Sequence, residues 1–177
     1  MPAIAIRAAT PADIAAITRI YAHAVRYGTA SFEIDPPDEA EMARRQQALL
    51  AGGFPYLVAE GGGEVVGYAY AGPYRPRRAY RFSLEDSIYV APEVQRRGVG
   101  RALLGELVAV AAARHFRQMI AVIGDSSAQE PSIALHRAAG FRMVGTIEAV
   151  GYKFGRWLDT VIMQRPLGDG DSTPPAE

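Results

Sequence analysis

Residues 95–101 read Gln95-Arg96-Arg97-Gly98-Val99-Gly100-Arg101. They follow an apolar run of strand character, Ile88-Tyr89-Val90, and precede Ala102, Leu103, Leu104, Leu107 and Val108 at helical spacing. A Gly-rich turn between a strand and a helix start binds anions, because unpaired backbone N–H groups and the helix dipole both point at the ligand. Glycine lets the backbone approach a phosphate without a Cβ in the way. The turn therefore predicts a phosphorylated ligand. Glycine spacing alone serves equally well in an ordinary strand-to-helix turn. Two other phosphate motifs do not fit. A mononucleotide P-loop needs Lys and then Ser or Thr after its last Gly, whereas Arg101-Ala102 follow here. A dinucleotide fold needs its turn after the first strand and an acidic residue about 20 residues on. This turn lies past mid-chain, and Arg117-Gln118-Met119 stand at that distance.

Three further groups carry polar chemistry. Glu85 lies in Ser83-Leu84-Glu85-Asp86-Ser87, just before the apolar run. By residue type it is a general-base candidate, or a strand glutamate facing solvent or an arginine. Asp86 falls on the opposite face of that strand and does not share the task. His136 titrates near neutral pH and could hold or supply a proton, or be a packed helix histidine. His23 and His115 show no partner pattern. With three histidines and no cysteine, a metal site, a disulfide and a thiol nucleophile are not expected. Arg75, Arg77 and Arg78 form a basic loop beside Tyr74 and Tyr80. Arginine recognises carboxylate-like oxygens with forked hydrogen bonds, although a solvated basic loop has the same composition.

The elements that must position these groups can be read coarsely. Ile4 and Ile6 alternate in a short strand. Thr10-Pro11-Ala12-Asp13 opens a helix that runs to about Arg26 with Ile14, Ile17, Ile20, Tyr21 and Val25 on one face. A loop leads to a second helix at about 38–51, stopped by Gly52-Gly53. Strands are expected at 54–60 and 64–71 around Gly61-Gly62-Gly63, and at 80–90. A helix then ends near His115, followed by a strand at 119–123, a helix at 131–139 capped by Gly140, and strands at 141–150 and 156–165. The 49% hydrophobic content supplies a core for one domain, 1–167, and 168–177 is expected to be a disordered tail. Nineteen basic and nineteen acidic residues balance, so neither nucleic acid nor a membrane surface is expected as a partner. No apolar run approaches the roughly 20 residues that span a bilayer, nor does the N-terminus have a signal-peptide layout. A cytoplasmic location is expected.

The segment 88–94 leading into Gln95-x-x-Gly98-x-Gly100 resembles the acetyl-CoA pyrophosphate loop of the GNAT superfamily of N-acetyltransferases. Ser132-Ile133-Ala134-Leu135-His136-Arg137-Ala138-Ala139-Gly140-Phe141 resembles the helix that flanks the pantetheine arm there. Val150-Gly151-Tyr152-Lys153-Phe154-Gly155-Arg156-Trp157-Leu158-Asp159, with Thr29-Ala30-Ser31-Phe32-Glu33 and Ala71-Gly72-Pro73-Tyr74, is similar to the phosphinothricin/methionine sulfoximine acetyltransferase branch. The resemblance implies an α/β (α+β) fold: a mixed, mostly antiparallel sheet whose central strands splay, with helices on both faces. It implies acetyl-CoA as co-substrate and no metal, with Ile88, Tyr89 and Val90 along the pantetheine, Gln95, Arg96, Arg97, Gly98, Val99, Gly100 and Arg101 on the pyrophosphate, and Gln129, Ser132 and His136 beside the arm. Gln129 departs from the branch, which commonly has asparagine there. Glu85 matches the base position. His136 stands near where many members place a tyrosine that protonates the thiolate. Phe32, Glu33, Arg75, Arg77, Tyr80, Tyr89 and Val150 are implied around a small amine or amino-acid substrate, in a homodimer. A protein N-terminus or another amine metabolite as acceptor, and a non-catalytic acyl-CoA-binding module, are the rival readings.

Overall fold

A computed structural model of the chain describes residues 4–175. β1 (Ile4–Ala8) leads through a 3-10 turn, Pro11–Asp13, into α1 (Ile14–Tyr27). The expected helix start at Pro11 is thus a tighter turn, followed by a regular helix. Ile14, Ile17, Tyr21 and Val25 recur at helical spacing and are all buried. α2 (Glu39–Ala51) is capped by Asp38, whose carboxylate accepts from the Glu41 N–H at 2.8 Å. β2 (Tyr56–Gly61) and β3 (Glu64–Pro73) form the expected hairpin, and β4 (Ser83–Val90) follows. The strand expected from residue 80 begins later. Arg78–Tyr80 instead closes a 3-10 turn, with Tyr80 N–H on Arg77 O at 2.9 Å and Arg81 N–H on Arg78 O at 3.1 Å. That segment is exposed, so nothing enforces strand alternation on it. α3 (Val99–Ala113), β5 (Gln118–Gly124), α4 (Glu130–Ala138), β6 (Arg142–Lys153) and β7 (Arg156–Pro166) complete the chain. Beyond Leu167 the expected disordered tail carries turns, and Arg117 donates to Gly170 O at 3.2 Å and Thr173 Oγ1 at 3.1 Å. Residues 176 and 177 of that tail lie outside the described residues.

The strands form one seven-stranded sheet in the order β1-β2-β3-β4-β5-β7-β6. Every pairing is antiparallel except β4 with β5. One face carries α3, whose Leu103, Leu104 and Leu107 are fully buried against Leu84, Met119, Ala121 and Met163. Burial of each such leucine stabilises by about 1.5–3 kcal/mol before the conformational entropy cost. The helix lies close because Gly67 offers no side chain; a Cβ there would stand 3.1 Å from Tyr89 O and 3.2 Å from Leu103. The opposite face packs under α1 and α2 through Ile17, Ile20, Val25 and Met42 over Tyr56, Val58 and Tyr68.

Candidate active site

β4 pairs with β3 from Leu84 to Val90, but with β5 only from Ser83 to Asp86. Past Asp86 and Ala121 the two central strands part, as the splayed sheet requires. A cleft with about 420 Å³ of free space, part of it open to solvent, occupies the fork. Its walls include Ser87, Ile88 and Tyr89 of β4, Val122 and Ile123 of β5, Ala30, and Gln129, Ser132 and His136 at α4. Ile88, Tyr89, Gln129, Ser132 and His136, all expected along one cofactor arm, therefore do meet.

The phosphate turn stands at the open end of β4. Gly98 caps α3 with φ +85°, and Arg96 also has positive φ, +59°. The first bond inside α3 runs from Ala102 N–H to Gly98 O at 3.0 Å. The N–H groups of Val99, Gly100 and Arg101 accordingly precede the helical ladder and point outward. Arg96, Arg97 and Arg101 are exposed around them. Gln95 curls back to Val90 O at 3.5 Å. Gly100 faces α4, where a Cβ would sit 3.4 Å from Leu135.

Strand alternation puts Glu85, Ser87 and Tyr89 on the α1–α2 face, opposite Gly72, Tyr70 and Tyr68 in register. Tyr89 lies edge-on to Tyr21 at 4.9 Å and stacks on Tyr68 at 5.3 Å. Burial pushes the Tyr21 hydroxyl up to about 12 and moves Tyr68, Tyr70 and Tyr89 upward as well, so these phenols stay neutral and do not serve as bases. Glu85 is the carboxylate that β4 itself places on this face. Burial raises its pKa, the Asp86 charge raises it further, and Arg75 pulls it down. A carboxylate shifted upward is a better proton acceptor near neutral pH.

The basic loop is close to this carboxylate and open to water. Arg75 lies over the Tyr74 ring at 4.8 Å, and Tyr74 meets Tyr80 edge-on at 5.8 Å. Arg77 precedes the 3-10 turn, and all three arginines are exposed.

Phe32 and Glu33 lie in the loop after α1, beyond Ala30, which lines the cleft. The Phe32 ring sits between Gly124 at the end of β5 and Gly151 in β6, where an added Cβ would stand 2.4 and 2.3 Å from it. Both glycines are thus there for the ring. Glu33 Oε1 accepts from Arg45 at 2.6 Å and from Tyr21 at 3.0 Å. Its charge is answered from α2, a partner the sequence reading missed. Lys153 was expected only as part of a 150–153 wall or of the last hairpin. It is buried, donates to Ser31 O at 2.7 Å and Gly28 O at 3.0 Å, and its pKa is pushed down by that burial. Arg156 holds Asp125 nearby, and Ser126 N–H donates to Asp159 at 2.7 Å. The segment 150–159 therefore clamps the 28–33 loop. Val150 lies in a bulge, where β6 slips against β7 between Ile147 and Gly151 and Ala149 takes φ +49°. It is half exposed, next to the glycine that touches Phe32.

His136 departs from the expected arrangement. Its ring is buried, with Nδ1 on Ser132 O at 2.7 Å and Nε2 on Asp86 Oδ2 at 3.0 Å. Both nitrogens are engaged, so no free ring N–H points into the cleft. Burial works against the charged imidazole, but the Asp86 and Ser132 bonds outweigh it and leave the pKa raised. Asp86, read only as the residue on the other face, is that face's partner for His136. Nothing local signals a contact between residues fifty positions apart.

Splayed central strands, a Gly-rich turn at the mouth of the fork and a half-buried carboxylate on β4 are the features that an acyl-CoA-type transfer site requires. A family model described as Acetyltransferase (GNAT) domain matches residues 6–162, and the chain belongs to that family of acetyltransferases. It is 54% identical to a phosphinothricin N-acetyltransferase of Alcaligenes faecalis, over 98% of this chain and 87% of that one. It is 40% identical to an L-methionine sulfoximine/L-methionine sulfone acetyltransferase of Salmonella typhimurium, over 93% and 95% of the two chains. Among solved structures it is similar to a GNAT superfamily phosphinothricin acetyltransferase from Sinorhizobium meliloti in complex with AcCoA, with TM-score 0.96 and 52% identity over 98% and 94% of the chains.

Proposed function

We propose that this acetyltransferase moves the acetyl group of acetyl-CoA directly to the α-amine of a small amino-acid-like substrate of the phosphinothricin, methionine sulfoximine or methionine sulfone type. The observation that carries the reading is the fork. β4 keeps an unpaired edge at 87–90, between N–H groups suited to a pyrophosphate at one end and Glu85 at the other. The names of the Alcaligenes and Salmonella relatives support the substrate class, and the acetyl-CoA complex of the Sinorhizobium relative supports the donor.

In the reaction the amine nitrogen attacks the thioester carbon, the C–S bond breaks, and the electron pair leaves on the CoA sulfur. The substrate ammonium first gives one proton to Glu85, directly or through a water, and the nitrogen's second proton leaves to water as the amide forms. An α-amine has a pKa of roughly 8, so a carboxylate of raised pKa suffices as acceptor. N–H groups of Val99, Gly100 and Arg101 hold the pyrophosphate. Backbone groups of Ser87, Ile88, Tyr89 and Val90 pair with the amides of the arm, and Gln129 and Ser132 flank it. Phe32, Glu33, Tyr80, Tyr89 and Val150 shape the acceptor pocket, and Arg75 and Arg77 face the acidic head of the acceptor. With no cysteine in the chain, no thiol acyl-enzyme can form.

The exposed apolar side chains Met143, Val144, Ile147, Val150, Tyr152 and Trp157 on β6 and β7 support a homodimer with the acceptor pocket near the interface. A monomer by sedimentation at micromolar concentration removes that part of the reading. No helix among the described residues is long and apolar enough to cross a membrane, and a cytoplasmic enzyme would meet acetyl-CoA directly. The deciding experiment is thiol release from acetyl-CoA with phosphinothricin, methionine sulfoximine, methionine sulfone, simple amines and short peptides in parallel. Turnover confined to the peptides would overturn the substrate class.

A further inference from the structure

Asp86 and His136 meet at the root of the fork, where the β4–β5 ladder stops. Their side chains are 2% and 4% exposed. The Ser132 carbonyl can only accept, so the His136 Nδ1 facing it at 2.7 Å carries a proton. Nε2 faces a carboxylate oxygen at 3.0 Å, where two lone pairs would repel, so a proton lies there too. The other Asp86 oxygen, Oδ1, is buried and has no partner among the described residues. His136 thus answers that carboxylate alone. Around the ring, Asp86 faces it from β4, the Phe141 ring meets it edge-on at 5.0 Å, and Ser132 and Gln129 flank it from α4. Asp86 is the charged group in that set.

We propose that Asp86 is a positioning residue that keeps His136 as a doubly donating imidazolium, and that His136 serves the departing thiolate as a fixed positive charge beside the cleft, not as a proton donor. The catalytic half rests on the acetyl-transfer reading above. When the C–S bond breaks, the electron pair stays on sulfur, the imidazolium retains both protons, and sulfur later takes its proton from solvent water. The charge is in place before the reaction, as electrostatic stabilisation of this kind requires.

Nitrogen-15 NMR of the histidine-labelled full chain tests the pair without any turnover. Both His136 nitrogens should show the protonated signature from about pH 6 to 8.5 in the wild type. A bare Nε2 across that range overturns the proposal. In Asp86→Asn, Nε2 should lose its proton while Nδ1 keeps its own. On the substrate that turns over best, kcat of Asp86→Asn should fall on the order of 10²-fold, with KM for acetyl-CoA within about threefold of wild type. Wild-type kcat in a variant whose imidazole is neutral overturns the catalytic half. Absence of turnover on every amine sinks the acetyl-transfer reading itself, while the spectra still decide the charge state. If Asp86→Asn does not fold, the wild-type spectra still decide the pair. His136→Gln, which keeps a side chain able to hydrogen-bond but carries no charge, then replaces it in the kinetic test and should show the same loss of kcat.

Discussion

Replacing Gly151 by alanine drives a methyl group into the Phe32 ring. The new Cβ would stand 2.3 Å from Cε2, 2.5 Å from Cδ2 and 3.0 Å from Cζ. Carbons rest at roughly 3.5–4.0 Å, so the ring must retreat by more than about 1 Å. It cannot retreat across β5, because its Cε1 already fills the space where a Gly124 Cβ would be. Its loop is held by the Lys153 bonds to Gly28 and Ser31. Gly151 does not have positive φ, so alanine brings no backbone strain, and the whole effect comes from the ring. Overpacking of this kind costs about 1–3 kcal/mol, which lowers Tm by about 2–12 °C in a domain of this size. A ring displaced by about 1 Å beside the acceptor should lower kcat/KM for the amine on the order of 10²-fold, with KM for acetyl-CoA unchanged. Thermal unfolding and steady-state kinetics read both quantities. Phe32→Ala in the same chain removes the clash, so the double variant should be more stable than the two single losses predict, by about 0.5–3 kcal/mol. Strictly additive losses, or a Gly151→Ala protein with wild-type Tm and KM, would refute the wedge geometry.

Three further outcomes follow from the site. Glu85→Gln should lower kcat on the order of 10²-fold or more while acetyl-CoA affinity holds. The folded pKa of Glu85 lies above its ordinary value, so the stability it contributes is present at low pH and is lost as pH rises through the folded value. The glutamine variant should therefore melt at or above the wild-type temperature near pH 7, with the difference vanishing below about pH 4; a lower melting temperature at neutral pH contradicts the burial argument. Gly98→Ala should lose about 1–2 kcal/mol and weaken acetyl-CoA binding by titration calorimetry, because φ +85° is strained for any side chain although nothing crowds the Cβ. Gly100→Ala, in regular helix, is the matched control and should fold normally. Arg75→Ala should raise KM for amino-acid acceptors and leave that for acetyl-CoA alone. Because Arg75 holds the Glu85 pKa down, the acid limb of the kcat/KM profile should also move to higher pH; an unmoved limb would show that the two residues do not interact.

The elements were legible where spacing and punctuation agreed. α1 shows its face in Ile14, Ile17, Tyr21 and Val25, and the β2–β3 hairpin shows its turn in three glycines. Reading failed at Tyr80-Arg81-Phe82, whose alternation looks like strand. There the chain turns, and Phe82 O accepts from both Arg117 and Gln118 N–H groups to start β5 alongside. β6 ran past its expected end because a bulge at 148–150 lets pairing resume at Gly151. The Gly-rich turn at 95–101 was readable because its geometry, a strand end, a left-handed Gly98 and a helix start, lies in consecutive residues. Long-range contacts were not. Phe32 against Gly151, Lys153 under Ser31 and Asp86 on His136 each join distant segments, and the residue types involved are common in unrelated settings. His136 could be named from sequence, but only the fold shows that both of its nitrogens are used.

The fork is the simplest link between sequence and chemistry. Beyond Ala121, β5 remains paired to β7 as far as Gly124 opposite Thr160, and beyond Asp86, β4 remains paired to β3 as far as Val90. Each central strand keeps one ladder and gives up the other. Backbone groups left unpaired in a buried groove are costly unless water or a ligand meets them. An extended ligand carrying its own amides satisfies such an edge as a missing strand would, and the parallel start of the β4–β5 pairing fixes where that edge begins. The edge runs from Ser87 to Val90, a rise of about 3.3 Å per residue, directly into the turn that opens α3. Under the proposed reading this length aligns the arm between pyrophosphate and thioester, so the acetyl carbon arrives near the Glu85 and Asp86 end of β4. The two carboxylates then divide by strand alternation, with Glu85 facing the amine on one side of the sheet and Asp86 facing His136 on the other. Adjacent acidic residues so placed can govern the two proton-sensitive partners of the reaction, amine and thiolate, without competing for one site.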